Sequence, residues 1–224
     1  MGVIRRRRAT GERGSTIVEA AVVVPTVMAI LFAMLEMGLY FKDSLTVSEG
    51  VKEGARTGAA YAQNIDADYY IIQSVINAAS INGQVQETII YDAAPPSPTD
   101  QSAQNPSAAC MASTTGVSVT YTDGTGTTHA AIGSCNVYLR ANGDFNHVIG
   151  DFTNKTFTNS RFWPGETRLE NTTDTRYTSN GTQSPGPDDI GIWVKTTHNW
   201  MTGFVSTSPT IITDQAVYRI EPRQ

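Results

Sequence analysis

Hydrophobic and polar positions divide this chain into three regimes. From Ala20 to Leu35, 16 consecutive residues carry no charge (AAVVVPTVMAILFAML). With Ile17 and Val18 before that run and Met37 to Phe41 after it, about 25 positions hold only Glu19 and Glu36 as charged groups. At about 1.5 Å per residue such a helix spans about 37 Å, enough to cross a hydrocarbon core of about 30 Å. The pattern therefore predicts a transmembrane helix over residues 17–41. Pro25 removes one backbone donor and predicts a kink or weakening there, which membrane helices tolerate.

Past Phe41 the helical pattern continues without proline through Lys42–Tyr61, and Gly50, Gly54 and Gly58 recur at spacing four with Ala55 and Ala59 beside them. On a helix these glycines share one face, where a second backbone can approach closely. Each costs about 1 kcal/mol of helix propensity relative to alanine, so packing against a partner helix is the expected compensation. Fraying or a bend near Gly50 is the alternative.

The third regime is shorter in period. Asp66–Ser80 places Tyr69, Ile72, Ile76 and Ala79 at helical spacing, with Asp66 or Asp68 as cap and Asn82-Gly83 as stop. Strands are expected at 85–91, 117–121, 129–132, 135–141, 190–197 and 211–220, with a turn at Asp123-Gly124. Pro95 to Pro98 reads as a linker. Residues 153–189, rich in Asn, Thr, Ser, Gly and Pro, read as a long mobile loop or insertion. The fold class expected is α+β: a long N-terminal helix feeding a small antiparallel sheet, with a second helix and a loop-rich insertion.

Charge sharpens this division. Residues 1–13 hold five Arg and one Glu, whereas the other 211 residues hold 11 basic against 20 acidic side chains. The acidic remainder argues against nucleic-acid binding, which needs clustered Lys and Arg. The basic end reads as a topogenic signal that stays on the cytoplasmic side. A cleaved secretory signal fits poorly, because the apolar run exceeds the usual h-region of about 7–15 residues and no small-x-small site follows it closely.

Cys110 and Cys135 are the only cysteines of the 224 residues. In an exported domain a disulfide between them is expected, adding about 3 kcal/mol by the chain-entropy estimate. Two free buried thiols are the alternative. Neither cysteine belongs to a CxxC pair. No P-loop, G-x-G-x-x-G, G-x-S-x-G or HExxH motif occurs. His129, His147 and His198 are far apart, and Asp144, Asp151, Asp188 and Asp189 read as solvated loop carboxylates. No catalytic residue, metal, cofactor or small-molecule substrate is expected.

The segment Gly14-Ser15-Thr16-Ile17-Val18-Glu19-Ala20-Ala21, followed by Val22-Val23-Val24-Pro25 and the apolar run, resembles the TadE-like pseudopilins, minor components of the tight-adherence (Tad/Flp) branch of type IV pili. Arg56, in Glu53-Gly54-Ala55-Arg56, is similar to the step that follows the membrane helix in that family. Ala216-Val217-Tyr218-Arg219-Ile220-Glu221-Pro222 is similar to its closing strand. Ala20 departs from the bulky residue of the major pilin, which favours a minor subunit.

The resemblance implies a basic leader (1–14), a hydrophobic helix (15–62) and an extracytoplasmic α+β domain (63–224) of pilin-like arrangement. It implies cleavage after Gly14 by a prepilin peptidase, leaving Ser15 as the new N-terminus. Glu19 would then pair with the N-terminal amine of a neighbouring subunit. Implied partners are the membrane, the peptidase, other Tad pilus subunits and the inner-membrane assembly platform. The implied role is structural, in pilus assembly, adhesion and biofilm formation, at the cytoplasmic membrane and then the cell surface. The alternative is an unprocessed single-pass protein displaying an extracytoplasmic binding module.

Overall fold

The computed structural model describes residues 12–79, 85–94, 104–122, 126, 128–150, 153–168, 175–177, 183–185, 188–203 and 205–221. Residues 1–11 of the leader, the Asn82-Gly83 stop, the Pro95–Pro98 linker, the Asp123-Gly124 turn and Asp151 lie outside them.

Helix α1 (Glu12–Tyr61) is 50 residues long and is followed by α2 (Ala67–Ala78). The helix runs on through Pro25, and the Thr26 hydroxyl donates to the Val22 carbonyl at 3.0 Å. It also runs on through Gly50 without a break. Gly14 and Ser15 lie inside it.

A five-stranded antiparallel sheet follows, in the order β2 (Gly116–Val117), β5 (Cys135–Leu139), β1 (Val85–Ala93), β8 (Asp189–His198), β9 (Thr210–Arg219). The small hairpins β3–β4 (Thr120–Thr122, Thr128–Ala130) and β6–β7 (Thr175–Tyr177, Gln183–Pro185) and the short helices α3 (Ala108–Ala112) and α4 (Asp144–Gly150) complete the described elements. This is the expected α+β architecture.

Strand alternation decides which side chain meets which layer. On β8, Ile190, Ile192 and Val194 face α1 and α2, together with Ile90, Tyr138 and Ile212. Ile89, Tyr91, Val137 and the partly buried Trp193 point to the other face, beneath Cys110. Val85 shares the helix side with Ile90 despite its odd number, because the register slips between Val85 and Glu87 and reverses the alternation. Tyr91 lies across Gly191, where a Cβ would stand 2.2 Å from its ring. Two-sided coverage explains why β1 is buried almost throughout.

Cys110 and Cys135 form a disulfide, with Cα atoms 6.2 Å apart, that ties α3 to β5. In the 153–189 region the structure departs from the mobile loop expected. Residues 158–168 form two tight turns whose Trp163 and Arg168 are fully buried. Asp188 and Asp189, expected in solvent, are buried at the start of β8, with Arg219 Nε 3.3 Å from Asp189.

The N-terminal helix as candidate functional site

The two halves of α1 have different surroundings because their sequences differ. Residues 16–35 are predominantly apolar and largely exposed, Val18, Val22, Leu31, Met34 and Leu35 among them. Glu19 lies on this stretch and is also exposed. By length and composition α1 can cross a membrane, and it fits a single-pass anchor.

From residue 36 upward one stripe turns inward. Glu36 is buried, and from Val47 onward Val47, Gly50, Val51, Gly54, Ala55, Gly58, Ala59 and Ala62 are buried at helical spacing. The glycines on this stripe meet the chain's own domain. A Cβ at Gly50 would stand 2.7 Å from Ala79 Cβ and 3.1 Å from the Ala79 backbone nitrogen. At Gly54 it would meet Val75 at 2.4 Å, and at Gly58 Ile190 at 2.8 Å. The helix that approaches the stripe is therefore α2, with β8 beside it. The backbone entropy that three glycines cost is offset by a closer packing distance than any side chain would permit.

The two ends of this seat carry polar fastenings. Near the top, Arg56 hydrogen-bonds Tyr218 on β9, and the Glu221 N–H donates to the Ala59 carbonyl at 3.3 Å. The two sequence segments that prompted the family resemblance thus lie against each other. Near the bottom, the loop after β8 bends down along α1. Its Thr202 hydroxyl donates to Glu36 Oε1 at 2.6 Å, and the Thr202 backbone N–H donates to the same oxygen. His198 Nδ1 lies 2.7 Å from Asp43 Oδ2, and Trp200 stacks on Tyr40 with centroids 5.8 Å apart.

Beneath α2 sits a buried polar knot. Asp68 does not cap α2; it turns into the core and meets Arg168 Nη2 at 2.5 Å, Asn136 Nδ2 at 2.7 Å and the Tyr138 hydroxyl at 2.5 Å. Asp66 holds the cap position without a side-chain cap bond. The Trp163 backbone N–H donates to Asn136 Oδ1, and the Arg168 guanidinium lies 4.4 Å from the Trp163 ring centroid. Burial pushes the Tyr138 phenol well above its ordinary range, and the neighbouring Asp68 charge adds to that, so Tyr138 stays a donor. The arrangement locks α2, β5 and the 158–168 turns together.

The structure does not bring the predicted site residues into one place. Gly14, Ser15 and Glu19 lie in the first turns of α1; Gly50, Gly54 and Gly58 lie on the domain seat; Cys110 and Cys135 lie on the far face of the sheet. His129, His147 and His198 remain on β4, α4 and β8. Among the described residues no group of three or more His, Cys, Asp or Glu side chains is placed to hold a metal ion. Sequence reasoning missed the Glu36–Thr202 and Asp68–Arg168 pairs. Glu36 gave some signal as a lone carboxylate in an apolar run, whereas Arg168 gave none.

No curated protein and no solved structure matches the chain. The family model described as TadE-like protein matches residues 14–56, from the glycine before the apolar run to Arg56, so this N-terminal segment is similar to that of TadE-like proteins.

Proposed function

We propose that this chain is a minor pseudopilin of a Tad pilus, a structural subunit that acts through helix packing and without catalysis. Its leader would stay in the cytoplasm and its domain would stand outside. A prepilin peptidase would cut after Gly14, within the first turns of α1, where helix ends open easily and glycine disfavours the helix. The mature chain would begin at Ser15, with Glu19 as its fifth residue.

The observation that carries this reading is the family match beginning at Gly14, on a helix whose apolar 16–35 stretch the domain leaves uncovered. An all-round apolar surface needs lipid before assembly and sister helices afterwards. A carboxylate at its edge is costly unless paired, and the α-amino group freed at Ser15 on a neighbouring subunit is a partner of the right charge. Roles in adhesion and biofilm formation follow from the same assignment.

N-terminal mass analysis of the protein from cells with active prepilin peptidase tests the processing step, with Ser15 as the expected first residue. Gly14→Leu should block that cut, and cleavage persisting at the same bond would show the site to be misassigned. Glu19→Ala should leave cleavage intact and reduce incorporation into pili at least tenfold by immunoblot of sheared filaments. Normal incorporation would remove the pairing role.

A further inference from the structure

The loop between β8 and β9 is unlike the rest of the domain surface. It reaches back along α1 to Glu36, 166 residues earlier in the chain, where the Thr202 hydroxyl and backbone N–H both donate to Oε1 of that buried carboxylate. A carboxylate in open water needs no such cradle, because solvent supplies its hydrogen bonds at no ordering cost. Glu36 instead lies at the end of an apolar run. Thr16–Leu35 is 20 residues, which spans about 30 Å as a helix and equals the thickness of a hydrocarbon core. That length puts Glu36 at the level where hydrocarbon gives way to headgroups.

The side chains at this level are those an interface favours. Tyr40 and Trp200 stack on each other, Phe41 is exposed beside them, and Met201 and Val205 point outward from the loop at 76% and 42% exposure. Below this level on α1, Leu31, Met34 and Leu35 are exposed.

We propose that the β8–β9 loop is a lipid-interface foot: Glu36 and Asp43 clip it to the helix, and Met201 and Val205 seat among the headgroups and upper acyl chains on the domain's side of the bilayer. The foot rests on the reading that α1 spans a membrane, and it sets the upper edge of the span at Glu36, short of the Phe41 end expected from the apolar pattern alone. It adds a depth stop, holding the domain at one fixed height and tilt before assembly.

Photo-crosslinking of the full chain in vesicles of phosphatidylethanolamine and phosphatidylglycerol tests this. Three single-site variants carry the probe: Met201→p-benzoylphenylalanine at the foot, Leu31→p-benzoylphenylalanine in the span, and Ile149→p-benzoylphenylalanine at an exposed site on α4. Lipid adducts, read by mass, are expected at positions 31 and 201 at five times or more the level at position 149. Adducts at 31 with position 201 no higher than 149 overturn the foot while leaving the span intact. Crosslinks from 201 to a second copy of the chain, in place of lipid, assign the surface to subunit packing and also overturn it. Absence of adducts at 31 removes the spanning reading itself, and the foot with it.

Discussion

The lower and upper halves of α1 are one continuous helix that answers the same problem in two ways. Residues 16–35 are predominantly apolar and largely exposed, whereas residues 36–61 bury a single stripe, with an outward face that is mostly polar from Glu49 onward. The upper stripe is made narrow by small residues, so α2 and β8 can press close against it. The lower half is left largely exposed by the described residues. A helix hydrophobic all round must be covered by something else. The upper half thus belongs to the fold and the lower half to the environment, and Glu36 marks the change. Substitutions in the two halves should therefore fail in different assays.

The largest loss of stability is expected on the domain side. Asp68→Ala removes the only ion-pair partner described for the buried Arg168 guanidinium and deprives Asn136 and Tyr138 of their acceptor. Breaking a buried pair from one side costs about 3–5 kcal/mol. Urea unfolding of the full chain in detergent micelles, followed by tryptophan fluorescence, should show that loss while membrane insertion of α1 is unchanged. A change below 1 kcal/mol would mean that the knot is not what holds α2 to the sheet.

Val27→Arg is the converse experiment. Val27 is exposed on the lower half, so unfolding of the domain should move by no more than about 0.5 kcal/mol. Placing arginine near the centre of a span costs about 2.5–3.5 kcal/mol of insertion. Fractionation should find the variant shifted from the membrane to the soluble or degraded pool. An undiminished membrane fraction would show that the lower half does not span.

The same contrast explains what was legible in the residues. The apolar run, the second helix and most strand positions follow from local periodicity, and the structure keeps them within a few residues. Residues 117–121 alternate like one strand, yet the chain leaves the ladder at Val119. The Ser134 hydroxyl takes over there, accepting from the Val119 N–H at 3.1 Å and donating to its carbonyl at 2.9 Å. Residues 158–168 read as mobile because their composition is polar. Their order comes from Trp163 and Arg168 meeting Asn136 and Asp68 far away in sequence, and such pairings leave no period to detect. The loop that cradles Glu36 is invisible for the same reason. What the sequence shows best is each element's own surface; what it hides is which distant polar group completes it.

The smallest effect gives the finest test of the boundary within α1. Gly38 and Gly50 are glycines of the same helix, and a methyl group at Gly38 would meet nothing within 4 Å. Alanine there removes conformational freedom from the unfolded chain and should leave domain stability unchanged or raise it by up to about 1 kcal/mol. At Gly50 the same methyl would strike Ala79 Cβ at 2.7 Å, with the Ala79 backbone nitrogen at 3.1 Å and the Val75 carbonyl oxygen at 3.2 Å. Backbone atoms cannot swing aside as a flexible side chain can, so the end of α2 must move. Overpacking of this kind costs about 1–3 kcal/mol, which outweighs the propensity gained. Urea midpoints of the two variants should therefore shift in opposite directions, or one downward and one not at all. A Gly50→Ala variant as stable as Gly38→Ala would mean that α1 does not sit against α2 in solution, and the division of the helix at Glu36 would lose its structural basis.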